Sequence, residues 1–150
     1  MNEAQMQCKI ARWLGWRTHL IVPNVSWGLG LHECDLLSVS RNGYATEIEI
    51  KVSVADLRKD KEKQHHHKDS RIKYLYFAMP EAMKGNECDV PDGAGIIYVR
   101  EQNGWCHIER KATANKQAVA LTAAERLHLA ELGTMRMWKL KVAIVAGRER

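Results

Sequence analysis

The sequence predicts an α/β domain, a mixed sheet with helices packed on it, and three observations lead there. Helical and strand periodicities interleave in the order helix, strand, strand, helix, strand, two short strands, helix, which suits a sheet covered by helices rather than a bundle or a sandwich. The length of 150 residues fits one domain spanning 1–150, with no repeat, low-complexity tract or linker to divide it. With 45% apolar and 27% charged residues, a chain of this size can bury a core without disulfide or metal staples.

Each element has its own signal. Asn2 can cap a first helix running to Trp13, on which Met6, Ile10, Trp13 and Leu14 form one stripe. Pro23 and Trp27-Gly28-Leu29-Gly30 mark an irregular connection. Strands over 33–40 and 44–52 flank Asn42-Gly43, a strong hairpin signal. Ser53, with Asp56 three positions on, opens a helix expected to reach about His67. Lys73 to Met79 is almost continuously apolar, as in a strand covered on both faces, and Pro80 closes it. Strands over 96–100 and 105–110 bracket a second Asn-Gly turn, Asn103-Gly104. Thr122 and Glu125 cap a last helix extending to about Val145, with Gly133 a weak point. Trp13 and Trp138 have apolar neighbours at helical spacing and are expected in the core; Trp27 is the best candidate of the five to stack on a base, with packing the favoured explanation.

Composition narrows the functional classes. No apolar run approaches the ~18 residues of a membrane span, and the N-terminus lacks the pattern of a signal peptide, so a cytoplasmic protein is expected, without a membrane partner. Cys8, Cys34, Cys88 and Cys106 stand singly, without CxxC spacing, and read as reduced, partly buried thiols rather than a zinc or redox motif. The 23 Lys and Arg against 18 Asp and Glu leave a net charge of +5, which suits a polyanionic partner.

The chemistry concentrates around Thr46-Glu47-Ile48-Glu49-Ile50-Lys51-Val52, which alternates strictly, with Glu47, Glu49 and Lys51 on one face of a strand. A strand with one solvated face has the same pattern. What sets this one apart is its surroundings: Asp35 on the neighbouring strand, and a following helix rich in Lys and Arg. Register decides whether Asp35 joins Glu49. A two-residue Asn42-Gly43 loop would place Asp35 opposite Ile50, on the wrong side. A three-residue loop of Arg41, Asn42 and left-handed Gly43 pairs Ser40 with Tyr44 and sets Asp35 opposite Glu49. The sequence permits both, and the chemistry needs the second. Two carboxylates held there make a hard oxygen site for Mg²⁺ or Mn²⁺, and a lysine beside them can orient a water and offset charge growing on a phosphate.

Asp35, thirteen intervening residues, then Glu49-Ile50-Lys51 resembles the D…(D/E)-x-K signature of the PD-(D/E)XK, or restriction-endonuclease-like, nuclease superfamily. Glu33-Cys-Asp-Leu-Leu-Ser-Val39, Glu47-Ile-Glu-Ile-Lys-Val-Ser53 and Tyr74-Leu-Tyr-Phe-Ala-Met-Pro-Glu81 resemble more narrowly the bacterial MmcB-type DNA-repair group and related phage-encoded proteins, over roughly residues 3–100. The resemblance implies a restriction-endonuclease-like core and a metal-dependent deoxyribonuclease of DNA repair or phage DNA processing. Asp35 and Glu49 would be metal ligands, the Ile50 backbone carbonyl a further ligand, and Lys51 the catalytic lysine. No small-molecule cofactor beyond the metal is expected. Cys34 stands where the signature's proline would be. The alternative is a DNA-binding module of the same fold with little or no cleavage.

Supporting residues follow from the same frame. Glu3 shares the stripe of Met6, Ile10 and Leu14, and members of the superfamily often carry a glutamate there near the metal; helix-dipole complementation is the other explanation. On the helix after Ser53 the stripe Val54, Leu57, Lys61, Gln64, Lys68 stays apolar for barely one turn. The resemblance gives Lys63 or Gln64 a phosphate contact, against a plain solvated basic face. His65, His66 and His67 project about 100° apart and cannot share one tetrahedral ion, so His65 and His67 are candidates for nucleic-acid contact instead, with Lys61 and Lys63.

Overall fold

The computed structural model describes residues 1–25, 33–62 and 70–148, with the side chains of residues 60–62 and 148 outside the description. The expectations for Trp27, Lys63, Gln64, His65 and His67, and for the helix beyond Glu62, lie outside the described residues. So does the Lys61 side chain. Along the chain run α1 (Glu3–Leu14), β1 (Leu20–Val25), β2 (Cys34–Val39), β3 (Ala45–Ile50), α2 (Val54–Glu62), β4 (Ile72–Pro80), two single 3-10 turns, β5 (Gly95–Val99), β6 (Cys106–Arg110) and α3 (Ala123–Arg148). The strands form one six-stranded sheet in sequence order. β3, β4 and β5 are mutually parallel, and the outer pairs are antiparallel. The mixed sheet with packed helices is therefore present.

The caps form as the sequence dictates. Asn2 and Gln5 make a reciprocal capping box at α1, which closes on left-handed Gly15. The Asp56 amide donates to Ser53 Oγ at 3.1 Å, starting α2 where the strand must end. At α3 the Glu125 amide donates to Thr122 Oγ1 at 3.2 Å, and Glu125 takes back both the amide and the hydroxyl of Thr122 at 2.7 Å. Arg71 also donates to Glu125 at 2.5 Å and holds its carboxyl down at about 2.

Three apolar clusters fix the layers. Met6 and Ile10 of α1 pack on Leu36, Ile48, Ile50, Ala78 and Ile97, on one sheet face. The opposite face carries Leu57 of α2 on Phe77 and Met79, and Leu129 of α3 on Val22, Leu37 and Val39. Fully burying side chains of this size contributes roughly 1.5–3 kcal/mol each relative to exposure.

Two expectations are corrected. The segment around Pro23 is the edge strand β1, not an irregular connection. Proline is tolerated there because an edge strand leaves one row of amides without ladder partners. Trp13 and Trp138 are not core: they are 37% and 55% exposed. Trp13 sits at the end of α1, and α3 runs on past the part that packs against β1, so the apolar spacing around Trp138 has no sheet beneath it among the described residues.

The β2–β3 turn is the element on which the site depends. Ser40 donates its amide to the Tyr44 carbonyl at 3.0 Å, the Gly43 amide donates to the Ser40 carbonyl at 2.9 Å, and Gly43 has φ +82°. This is the three-residue, bulged loop. A Cβ at Gly43 would also meet the Leu121 carbonyl oxygen at 2.9 Å. Gly43→Ala is therefore expected to destabilise the fold by about 1–3 kcal/mol, from left-handed strain plus the backbone clash. Thermal melting checks it, at roughly 2–4 °C per kcal/mol for a chain of this size. An unchanged midpoint would mean that glycine is not what holds this turn.

Candidate functional site

The register Leu36↔Ile48, Leu37↔Glu47, Val39↔Ala45 continues by one residue to set Asp35 opposite Glu49. The strand then delivers Lys51 two residues on, anchored by its amide donating to the Ala78 carbonyl at 2.9 Å. Asp35, Glu49 and Lys51 thus meet at one end of the sheet, where α1 and α2 both begin.

The site is dry. Glu49 and Lys51 are 7% and 6% exposed, and Glu47 is wholly buried. A merely solvated strand face, the ordinary explanation for the alternation, is excluded by these values. Lys51 Nζ donates to Glu49 Oε2 at 3.1 Å and lies 5.7 Å from the centre of the Phe77 ring. Asp35 Oδ2 accepts the Ile50 amide at 2.7 Å, tying the two strands together through the carboxylate itself. Burial and the neighbouring Asp35 push the Glu49 carboxyl up to about 7, with Glu47 adding to the rise and Lys51 opposing it. Burial, then the charges of Glu47, Glu49 and Asp35, push the Cys34 thiol far up, so it is no nucleophile. The four cysteines are free; Cys34 and Cys106 are buried, whereas Cys8 and Cys88 are exposed rather than partly buried.

Glu3 is on the surface but belongs to this neighbourhood. Burial first, then Asp35 and Asp56, raise its carboxyl above the ordinary value. Gln7 connects it to the site. Its amide nitrogen lies 3.0 Å from Glu3 Oε1, 2.6 Å from Asn24 Oδ1 and 3.0 Å from the Asp35 carbonyl. Asn24 reaches this position because it takes a left-handed φ of +49°, which asparagine tolerates. Glu33 is exposed just before β2.

Glu47, Gln7 and Asn24 are the residues sequence reasoning missed. The strict alternation signalled that Glu47 shares a face with Glu49, and Gln7 is one helical turn from Glu3. Asn24 carried no signal. Among the described residues no group of three or more His, Cys, Asp or Glu converges to hold a metal ion. A cation here would rest on two carboxylates, the Ile50 carbonyl and water. That hard, incomplete oxygen set fits Mg²⁺, which keeps several waters, and does not fit zinc.

The architecture recurs. The SPO1766 protein of unknown function from Silicibacter pomeroyi superposes with a TM-score of 0.65 at 19% identity, covering 100% of this chain and 96% of the other. At that identity the likeness is one of fold. No curated protein matches the sequence. The chain belongs to the MmcB-like family of DNA repair proteins, whose profile matches residues 2–144. The family's description gives a role in DNA repair, which suggests an interaction with DNA. No helix of the described residues is long and apolar enough to cross a membrane.

Proposed function

We infer that this protein is a Mg²⁺- or Mn²⁺-dependent deoxyribonuclease with a restriction-endonuclease-like, PD-(D/E)XK core, working in DNA repair or phage DNA processing. The observation that carries the reading is the placement of Asp35 opposite Glu49 across a bulged turn, with Lys51 hydrogen-bonded to Glu49 and both of them buried. Membership of a DNA repair family supplies the substrate class.

Asp35, Glu49 and the Ile50 carbonyl would hold the cation. When bound, it supplies Lewis-acid polarisation of the scissile phosphate and neutralises charge there. Asp35 is kept in place by the Ile50 amide, which fixes its carboxylate beside Glu49. Lys51 Nζ, now held by Glu49, is positioned to donate to the attacking water or to the phosphate as charge develops. The buried apolar side chains of Leu57 and Phe77 on that side of the sheet lower the local dielectric and strengthen each of these interactions. Glu3 would reach the outer edge of the site through Gln7.

The basic stretch from Arg58 to Lys73 is the proposed DNA track, with Lys61, Lys63, Gln64, His65 and His67 as contacts. Neutralising Lys61 and Lys63 together is expected to weaken binding to all sequences alike and flatten its salt dependence by ~1 unit per lost phosphate contact. An unchanged slope would move the track elsewhere. The function itself is tested by incubating linear, nicked and single-stranded DNA with Mg²⁺, Mn²⁺ or a chelator. Metal-dependent cleavage supports the nuclease; salt-sensitive binding with no cleavage under any of these conditions would leave the DNA-binding module.

A further inference from the structure

The second half of α3 is built to be covered by something. Over its first half the helix packs Leu129 on β1, a Cβ added at Gly133 would meet Val22 at 3.8 Å, and Arg136 donates to the Asn24 carbonyl at 2.7 Å. Beyond that point every described residue from Met137 to Gly147 is exposed. These eleven residues extend about 16 Å at 1.5 Å per residue. They include Met137, Trp138, Leu140, Val142, Ile144 and Val145, each between 45% and 65% exposed. At 100° per residue, Met137, Leu140 and Ile144 continue the face that packs on β1, while Trp138, Val142 and Val145 lie on the opposite side. A helix apolar on both sides is a buried helix.

We propose that this segment is the interface of a homodimer, in which two copies of α3 pack antiparallel about a two-fold axis near Trp138. Six large apolar side chains, each about half exposed within one short segment, are the contiguous patch that marks an interaction surface rather than singly scattered surface residues. Eleven residues are too few to span a bilayer, which takes ~20. An amphipathic surface helix would keep one polar face, which this segment lacks. Charge then selects a second copy and its direction. After Glu131 the helix carries Arg136, Lys139, Lys141 and Arg148 and no acid. A parallel pair would set these cations against their equals. An antiparallel pair centred on Trp138 brings Glu131 opposite Val145 of the second copy, one turn from that copy's Lys141, and repeats the contact by symmetry. The exposed stripe through Leu127, Trp138 and Val145 contains that one acid and meets its own complement.

Sedimentation velocity of the full chain tests this, since a dimer has twice the 17.2 kDa of the chain. The parent is expected to be dimeric, and Trp138→Glu monomeric with unchanged circular dichroism, because within its own chain Trp138 meets the Lys141 ammonium on its own exposed turn rather than the core. Glu131→Lys should raise the dissociation constant several-fold, and Glu131→Lys combined with Lys141→Glu should restore it. In a Cys8→Ser, Cys88→Ser background, Trp138→Cys should cross-link between copies on oxidation. A monomeric parent, a Trp138→Glu protein that remains dimeric, or a parent that binds anionic vesicles as a monomer would each overturn the proposal. Failure of the charge swap to restore association would overturn the antiparallel arrangement. DNA cleavage is not a readout here, so the outcome is independent of the nuclease reading.

Discussion

Glu49→Ala should abolish both Mn²⁺ binding and DNA cleavage, whereas Lys51→Ala should abolish cleavage alone. Glu49 is one of only two side-chain carboxylates facing each other across the β2–β3 pair, so its loss leaves a single charged ligand. Lys51→Ala keeps both carboxylates and removes a positive charge 3.1 Å from Glu49 Oε2. The ion should therefore bind as well or more tightly. The rate should still fall by ~10²–10³-fold or more, the usual loss when one donor to a developing oxyanion is removed. DNA affinity should drop only modestly, because one lysine contributes little to the total phosphate term. Calorimetric titration of Mn²⁺ into each variant, beside a cleavage assay, reads the two effects separately. If Lys51→Ala loses metal as completely as Glu49→Ala, or cleaves at the parental rate, Lys51 has another role.

The second large effect is on stability. In the folded chain the Glu49 carboxyl is raised from 4.5 to about 7, mainly by burial and by Asp35. A raised carboxyl keeps its proton in the native state while the unfolded chain releases it. Stability is then full below about pH 4.5 and declines as pH rises to 7, with no further loss above. A shift of that size corresponds to about 3 kcal/mol. Glu3 titrates in the same direction; Glu125, depressed to about 2 by Arg71, acts oppositely, and its contribution is lost only as pH falls below the ordinary carboxyl range. Comparing parent with Glu49→Gln isolates the Glu49 contribution: the parent should be the less stable near pH 8, and the gap should close toward pH 4.5. Mn²⁺ should raise the parent's melting point more at pH 8 than at pH 5, since it competes with the proton for Glu49. A gain independent of pH, or equal in Glu49→Gln, would place the ion elsewhere.

Much of this was legible in the residues. Asn2 and the pairs Ser53–Asp56 and Thr122–Glu125 mark helix starts because each satisfies amides the helix leaves free. The choice between two hairpin registers was open from spacing alone. It resolved to the three-residue loop, in which left-handed Gly43 fits closely against Leu121. Pro23 misled because proline argues against a central strand, and only the assembled sheet shows that β1 is an edge. Burial of Glu47 could not be read from alternation, which gives faces but not what covers them. Trp138 misled for a related reason: apolar spacing announces burial without saying within which molecule.

A Mn²⁺-soaked crystal, with the ion located by its anomalous scattering, tests the central claim most directly. A peak coordinated by the Asp35 and Glu49 carboxylates and the Ile50 carbonyl, retained in Lys51→Ala and absent in Glu49→Ala, is the predicted result. A peak that leaves both carboxylates uncoordinated, or one that survives Glu49→Ala at full height, would contradict it.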